Sequence, residues 1–141
     1  MASFPEHADA VIVGQGGIVG ASVAHHLIEQ GWSNLVGLDK SAIPSDISST
    51  SHASDFCYMT SHDRMSCYTT VYSRQFYTSI GHYSRVGGIE VARSQERMDY
   101  LKRRVEWATA WGIPDPQLLS PAEVTEKLPQ VDADVIKGGY Y

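Results

Sequence analysis

The chain has 141 residues, enough for one domain that buries about two-thirds of its unfolded surface. With 43% hydrophobic residues, 19% charged and a net charge of -5, it has no basic surplus to hold nucleic acid or an anionic membrane. No apolar run reaches membrane-spanning length, no basic leader precedes an apolar core, and Cys57 and Cys67 are too few for a disulfide framework; the expectation is a soluble, intracellular protein.

The apolar run Ala10-Val11-Ile12-Val13 stops at Gly14-Gln15-Gly16-Gly17-Ile18-Val19-Gly20, where an amphipathic pattern begins. That order reads as buried strand, tight turn and helix, the way a dinucleotide site starts. Such a turn asks for three small residues: one to bend the chain, one to admit a pyrophosphate and one to let helix pack on strand. The phosphates then sit on the free N–H groups of the helix. Counted from Gly14, the spacing G-x-G-x-x-G fails at Val19; counted back from Gly20, it fails at Gln15. The second register keeps Gly17 and Gly20, makes Ile18 and Val19 the first core-facing helix residues, and leaves Gly14 or Gly16 to supply the turn. The alternative is a glycine-rich turn that holds no ligand.

Ile18, Val19, Val23, Ala24, Leu27 and Ile28 recur at helical spacing up to Gly31, which is placed to end the helix. His25 and His26 lie at its polar edge, and their adjacency argues against a shared ligand. Leu35-Val36-Gly37-Leu38 reads as a short strand delivering Asp39, followed by Lys40, to its carboxyl end, the edge where parallel sheets bind ligands. A carboxylate there accepts hydrogen bonds from ribose hydroxyls and repels a 2′-phosphate, which disfavours NADP.

From Lys40 to Asp63 the periodicity disappears into a long polar connection, a kind of loop that is often functional. Within Ser49-Thr50-Ser51-His52-Ala53, the neutral imidazole of His52 is a competent nucleophile near pH 7, although a loop histidine is more often a hydrogen-bonding group. His52, Cys57, His62 and Cys67 recur every five residues, a step that aligns ligands on neither a helix nor a strand face, so no metal site is read from them.

Met65, Tyr68, Tyr72, Phe76 and Ile80 predict a helix ending at Gly81 with a core-facing aromatic stripe; whether Tyr58, Tyr68, Tyr72 and Tyr77 line a pocket or pack is left open. Val86-Gly87-Gly88-Ile89-Glu90-Val91-Ala92 reads as a strand with a bulge or close backbone approach. Ser94 caps a helix with Met98, Leu101, Val105 and Ala108 inward and Lys102, Arg103 and Arg104 on the solvated side. Ser120-Pro121-Ala122-Glu123 is a capping box opening a helix to about Leu128. Lys137 to Tyr141 reads as the start of a further strand, an abrupt ending.

These residues resemble the amino-terminal part of the dimethylglycine oxidase, dimethylglycine dehydrogenase and sarcosine dehydrogenase family, flavoproteins of the D-amino-acid-oxidase fold group. The resemblance rests on Gly17-Ile18-Val19-Gly20, on Gly31-Trp32 before Leu38-Asp39, and on Ser49-Thr50-Ser51-His52-Ala53. It extends through Val86 to Ala92, Ala110-Trp111-Gly112-Ile113 and Leu119-Ser120-Pro121-Ala122-Glu123. Two positions depart from it: Gln15 stands where the family has its first glycine, and Ser54-Asp55 follow Ala53 in place of Pro-Gly.

The resemblance implies an α/β fold with a Rossmann-like FAD-binding domain of the D-amino-acid-oxidase/glutathione-reductase type. That domain is expected over residues 10–141 after an extension at 1–9, and is expected to be incomplete, so that a partner chain completes the sheet. It implies FAD as cofactor, bound by Gly14, Gln15, Gly16, Gly17, Ile18, Val19, Gly20, Asp39, Lys40, Ser49, Thr50, Ser51 and His52, with His52 as the covalent attachment point. The implied reaction is hydride transfer to flavin from an N-methyl amino acid such as dimethylglycine or sarcosine, with tetrahydrofolate engaged by regions beyond this chain. No other catalytic residue carries over, and the chain alone is expected to be inactive. The implied location is the cytoplasm, or the mitochondrial matrix in a eukaryote. Against this stand a non-catalytic nucleotide-binding or interaction module and, third, an NAD-dependent oxidoreductase.

Overall fold

The computed structural model describes residues 5–141, which form two compact units meeting between Phe56 and Cys57. The first contains strand β1 (Ala10–Val13), helix α1 (Ile18–Glu29) and strand β2 (Leu35–Leu38). The two strands are parallel, with Ala10 opposite Leu35 and Val13 opposite Leu38. A parallel pair needs a crossover, and α1 supplies it. The helix closes as its glycine predicts: Gly31 takes φ +92° and the Trp32 amide donates back to the Leu27 carbonyl at 3.0 Å.

The inward face of α1 differs from the expectation. Ile18 and Val19 are 46% and 74% exposed, while Gly20 is buried and Ala24 and Leu27 are half-buried. A side chain at Gly20 would run into the Gly14 carbonyl oxygen, so the closest approach of helix to turn lies there and rotates Ile18 and Val19 outward. In the long connection that follows, Thr50–His52 form a single 3-10 turn, where the sequence reading expects none.

The second unit contains α2 (Arg64–Ser79), β3 (Glu90–Ala92), α3 (Gln95–Ala110), β4 (Leu118–Leu119), α4 (Pro121–Lys127) and β5 (Gly138–Tyr140). Its sheet is antiparallel in the order β3-β5-β4, with Tyr140 opposite both Glu90 and Leu118. The three helix starts are capped by Asp63, Ser94 and Ser120, the last in a full capping box with Glu123. Three apolar clusters form its core: Cys67, Ala108 and Ile113; Ala92, Leu101 and Tyr140; Leu119, Val124 and Ile136.

Three expectations are corrected here. The stripe of α2 is not core: Met65, Tyr68 and Tyr72 are 69%, 67% and 45% exposed, and the buried contacts come from Cys67 and half-buried Val71. The strand expected from Val86 begins only at Glu90, because Gly87 sits at φ +79° with the Tyr141 ring filling the space a side chain would need. Arg104 is not solvated. Its side chain is 11% exposed, ion-paired with Glu90, and donates to the Thr60 carbonyl at 2.9 Å and hydroxyl at 3.0 Å. Three positions from Leu101, it lies on the same side of α3, and its stem packs while its head finds polar partners.

Candidate functional site

The turn between β1 and α1 is built from backbone bonds that small residues permit. Gly14, at φ +89°, supplies the bend that the register left to Gly14 or Gly16. The amides of Gly14 and Gln15 both donate to the Leu38 carbonyl, at 2.8 and 3.1 Å, which ties the turn to the carboxyl end of β2. Gly16 is confined: a Cβ there would stand 2.9 Å from Ser45 Cβ and 3.0 Å from Asp39 Oδ2.

Asp39 faces this turn. Its Oδ2 accepts the Gly16 amide at 2.9 Å and its Oδ1 accepts both the Ser41 amide and hydroxyl at 3.0 Å. The Gly16 amide first, and the Ser41 amide next, hold its carboxyl below the ordinary value of 3.8, so it is ionised at neutral pH. Ser41 and Ser45 were not singled out in the sequence. The Ser41 hydroxyl reaches Ser45 Oγ at 2.7 Å, and the Ser45 amide donates to the Gly16 carbonyl at 3.0 Å, closing a loop of hydrogen bonds around the carboxylate. The signal was present in Asp39-Lys40-Ser41, since a carboxylate two residues before a serine favours a local side-chain turn.

The start of α1 is open to an anion. Gly17, its N-cap, has no side chain to cap with, and the first turn carries no acid. The Ile18 amide is met instead from far along the chain by Thr50 Oγ1 at 3.0 Å. Helix geometry leaves the Val19 and Gly20 amides without an intrahelical acceptor, and the helix dipole adds partial positive charge there. A Cβ on Gly17 would find nothing nearer than Thr50 Oγ1 at 3.5 Å.

His52, two residues past Thr50, is exposed, and its Nδ1 lies 2.9 Å from the Ser48 carbonyl and 3.2 Å from Ser51 Oγ. A carbonyl can only accept, so Nδ1 carries the proton and Nε2 carries the lone pair. Ser51 Oγ in turn donates to the carbonyls of Asp46 and Ser48, at 2.9 and 2.8 Å, and the Ser49 carbonyl accepts the His52 amide at 3.3 Å. Lys40 and Ser49 are exposed.

The expected residues therefore assemble in two groups within the first unit: Gly14, Gly16 and Asp39 around the turn, and Ile18, Thr50, Ser51 and His52 along the connection. Gln15 is accommodated differently from a glycine. Its side chain lies over Gly37, where a Cβ would meet Gln15 Cγ at 2.6 Å, and its Oε1 is buried with no hydrogen-bond partner. The missing side chain on β2 makes room for the extra one in the turn.

An ionised carboxylate at the sheet edge, uncapped helix amides and glycines that leave the backbone bare suit a nucleotide diphosphate. Comparisons with known proteins speak to family and fold. Residues 9–141 match the profile of the FAD dependent oxidoreductases. The chain is 30% identical over 146 residues to the mouse mitochondrial pyruvate dehydrogenase phosphatase regulatory subunit, and 29% identical over 157 residues to rat mitochondrial dimethylglycine dehydrogenase. These matches cover 99% and 98% of this chain, which spans 16% of either relative's length. In fold it is similar to the L-proline dehydrogenase of P. horikoshii, with a TM-score of 0.82 at 23% identity, over 97% of this chain and 37% of that one. FAD is the cofactor that goes with this family, and the chain belongs to the FAD dependent oxidoreductases.

Proposed function

We propose that this region carries the FAD of an oxidoreductase acting on CH–NH groups of N-methyl amino acids such as dimethylglycine or sarcosine, with residues 10–141 as the leading portion of the FAD-binding domain. The observation that carries the reading is Asp39 held against the Gly16 amide at the mouth of an uncapped helix. In this reading the amides of Val19 and Gly20 receive the diphosphate, and the Thr50 hydroxyl, already accepting from Ile18, keeps its proton to donate to the same oxygens. Asp39 takes the ribose hydroxyls with the lone pairs left by Gly16 and Ser41. Bound FAD supplies a two-electron acceptor, and the protein's part is to hold and orient it. His52, with Nε2 left as the nucleophilic nitrogen, is the attachment point. The relatives named as mitochondrial support the matrix as the location.

The mass of the intact purified protein tests attachment: an excess equal to one FAD, abolished by His52→Ala, is expected. The acid-precipitated protein should stay yellow. A colourless precipitate at the mass of the bare chain, with no FAD uptake, overturns the reading.

A second reading, a nucleotide-binding module without turnover, is favoured by Gln15 in the place of the fingerprint's first glycine and by the similarity to a subunit named as regulatory. With the remainder of the FAD-binding domain present, bleaching of the flavin by dimethylglycine or sarcosine without air separates the two. Retained flavin that neither amine bleaches supports the second.

A further inference from the structure

We propose that His25, His26 and Glu29 of α1 form a binding site for a transition cation of the zinc class, independent of the FAD site. The nucleotide-facing start of the helix lies about 10 Å along its axis from His25, at 1.5 Å per residue. Adjacent histidines are about 100° apart on a helix, which argued against a shared ligand from spacing alone. The imidazole arms overcome that separation. Among the described residues, one ligand atom from each of His25, His26 and Glu29 lies within 4.8 Å of the others.

Two further observations make this a ligand set. His25 Nε2 and Glu29 Oε1 stand 3.4 Å apart across one helical turn. Two ligands bonded at about 2.0–2.1 Å with a tetrahedral angle between them are separated by about that distance. The pair therefore has the bite of a chelate. His26 Nδ1 lies 2.8 Å from the Ser22 carbonyl, which places a proton on Nδ1. That outer bond, imidazole N–H to a backbone carbonyl, is the one metal-bound histidines make. The two rings meet edge to face with centroids 5.2 Å apart. Two imidazoles and one carboxylate suit Zn2+, Ni2+ or Cu2+, with water completing the shell, and suit Mg2+ or Ca2+ poorly.

Calorimetric titration of Zn2+ into the protein, free of any histidine tag, tests the site. The expected result is one ion per chain near neutral pH, weakened at least about tenfold by His25→Gln, His26→Gln or Glu29→Gln and unchanged by His82→Gln. In the unsubstituted protein, Zn2+ should shift the ring resonances of His25 and His26 and leave those of His82 in place. No uptake at about 1 mM Zn2+, full-strength binding by the His25→Gln/Glu29→Gln double variant, or ring shifts confined to other histidines overturns the proposal.

Discussion

The parallel pair β1–β2 and the antiparallel trio β3–β5–β4 are held by different means. In β1 only Ile12 is buried, Val11 and Val13 are 55% and 80% exposed, and the pair is tied at its ends by backbone bonds through Leu38 and Asn34. In the trio every residue of β5 is buried, and Ala92, Leu101 and Val124 are fully enclosed around it. A two-stranded sheet is marginal by itself, whereas three strands with packed helices stand alone. The difference teaches where chemistry sits: the unit with the bare amides and the ionised carboxylate is the one with least apolar burial, and it gains most from a ligand that binds only the folded state.

Substitutions can break that contrast. Leu101→Ala, in a fully buried position, is expected to cost the second unit about 2–5 kcal/mol, read as an earlier urea midpoint, whereas Val13→Ala should cost under about 0.5 kcal/mol. Equal costs would show the first unit to be packed as tightly as the second. Gly20→Ala should cost about 1–3 kcal/mol, since the methyl meets the Gly14 carbonyl. FAD retention should fall with it, because the turn and the start of α1 move together; unchanged retention would separate helix packing from cofactor binding.

The smallest expected effect is a pH dependence of the first unit. Folding lowers the Asp39 pKa, chiefly through the Gly16 amide, so its contribution is fully present above pH 3.8 and is lost as pH falls through the lowered value. Stability of wild type and Asp39→Asn compared from pH 6 down to about 2 should converge at the acid end. Curves that stay parallel would remove Asp39 from the turn.

Much of this was legible from the chain itself because it is local. The caps at Ser94 and Ser120, the stops at Gly31 and Gly81, and the delivery of Asp39 by β2 follow from residue chemistry within a few positions. The aromatic stripe and Arg104 were misjudged because periodicity gives a face and not its neighbour. Thr60, 44 residues from Arg104, decides that this cation turns inward. Thr50 reaching Ile18 across 32 residues is of the same kind. The turn was half legible: the spacing gave Gly17 and Gly20, but only the Gly37 gap shows how Gln15 is tolerated.

The order β3-β5-β4 has a consequence for how the second unit is made. The middle strand is the last of the three in sequence, and among the described residues β3 and β4 pair only with β5. As the chain emerges from a ribosome, the two outer strands lack their partner in this sheet until Gly138, Gly139 and Tyr140 appear. The paired glycines of β5 let it slide in beneath Val124 and Met98, where any larger residue would jam the entry.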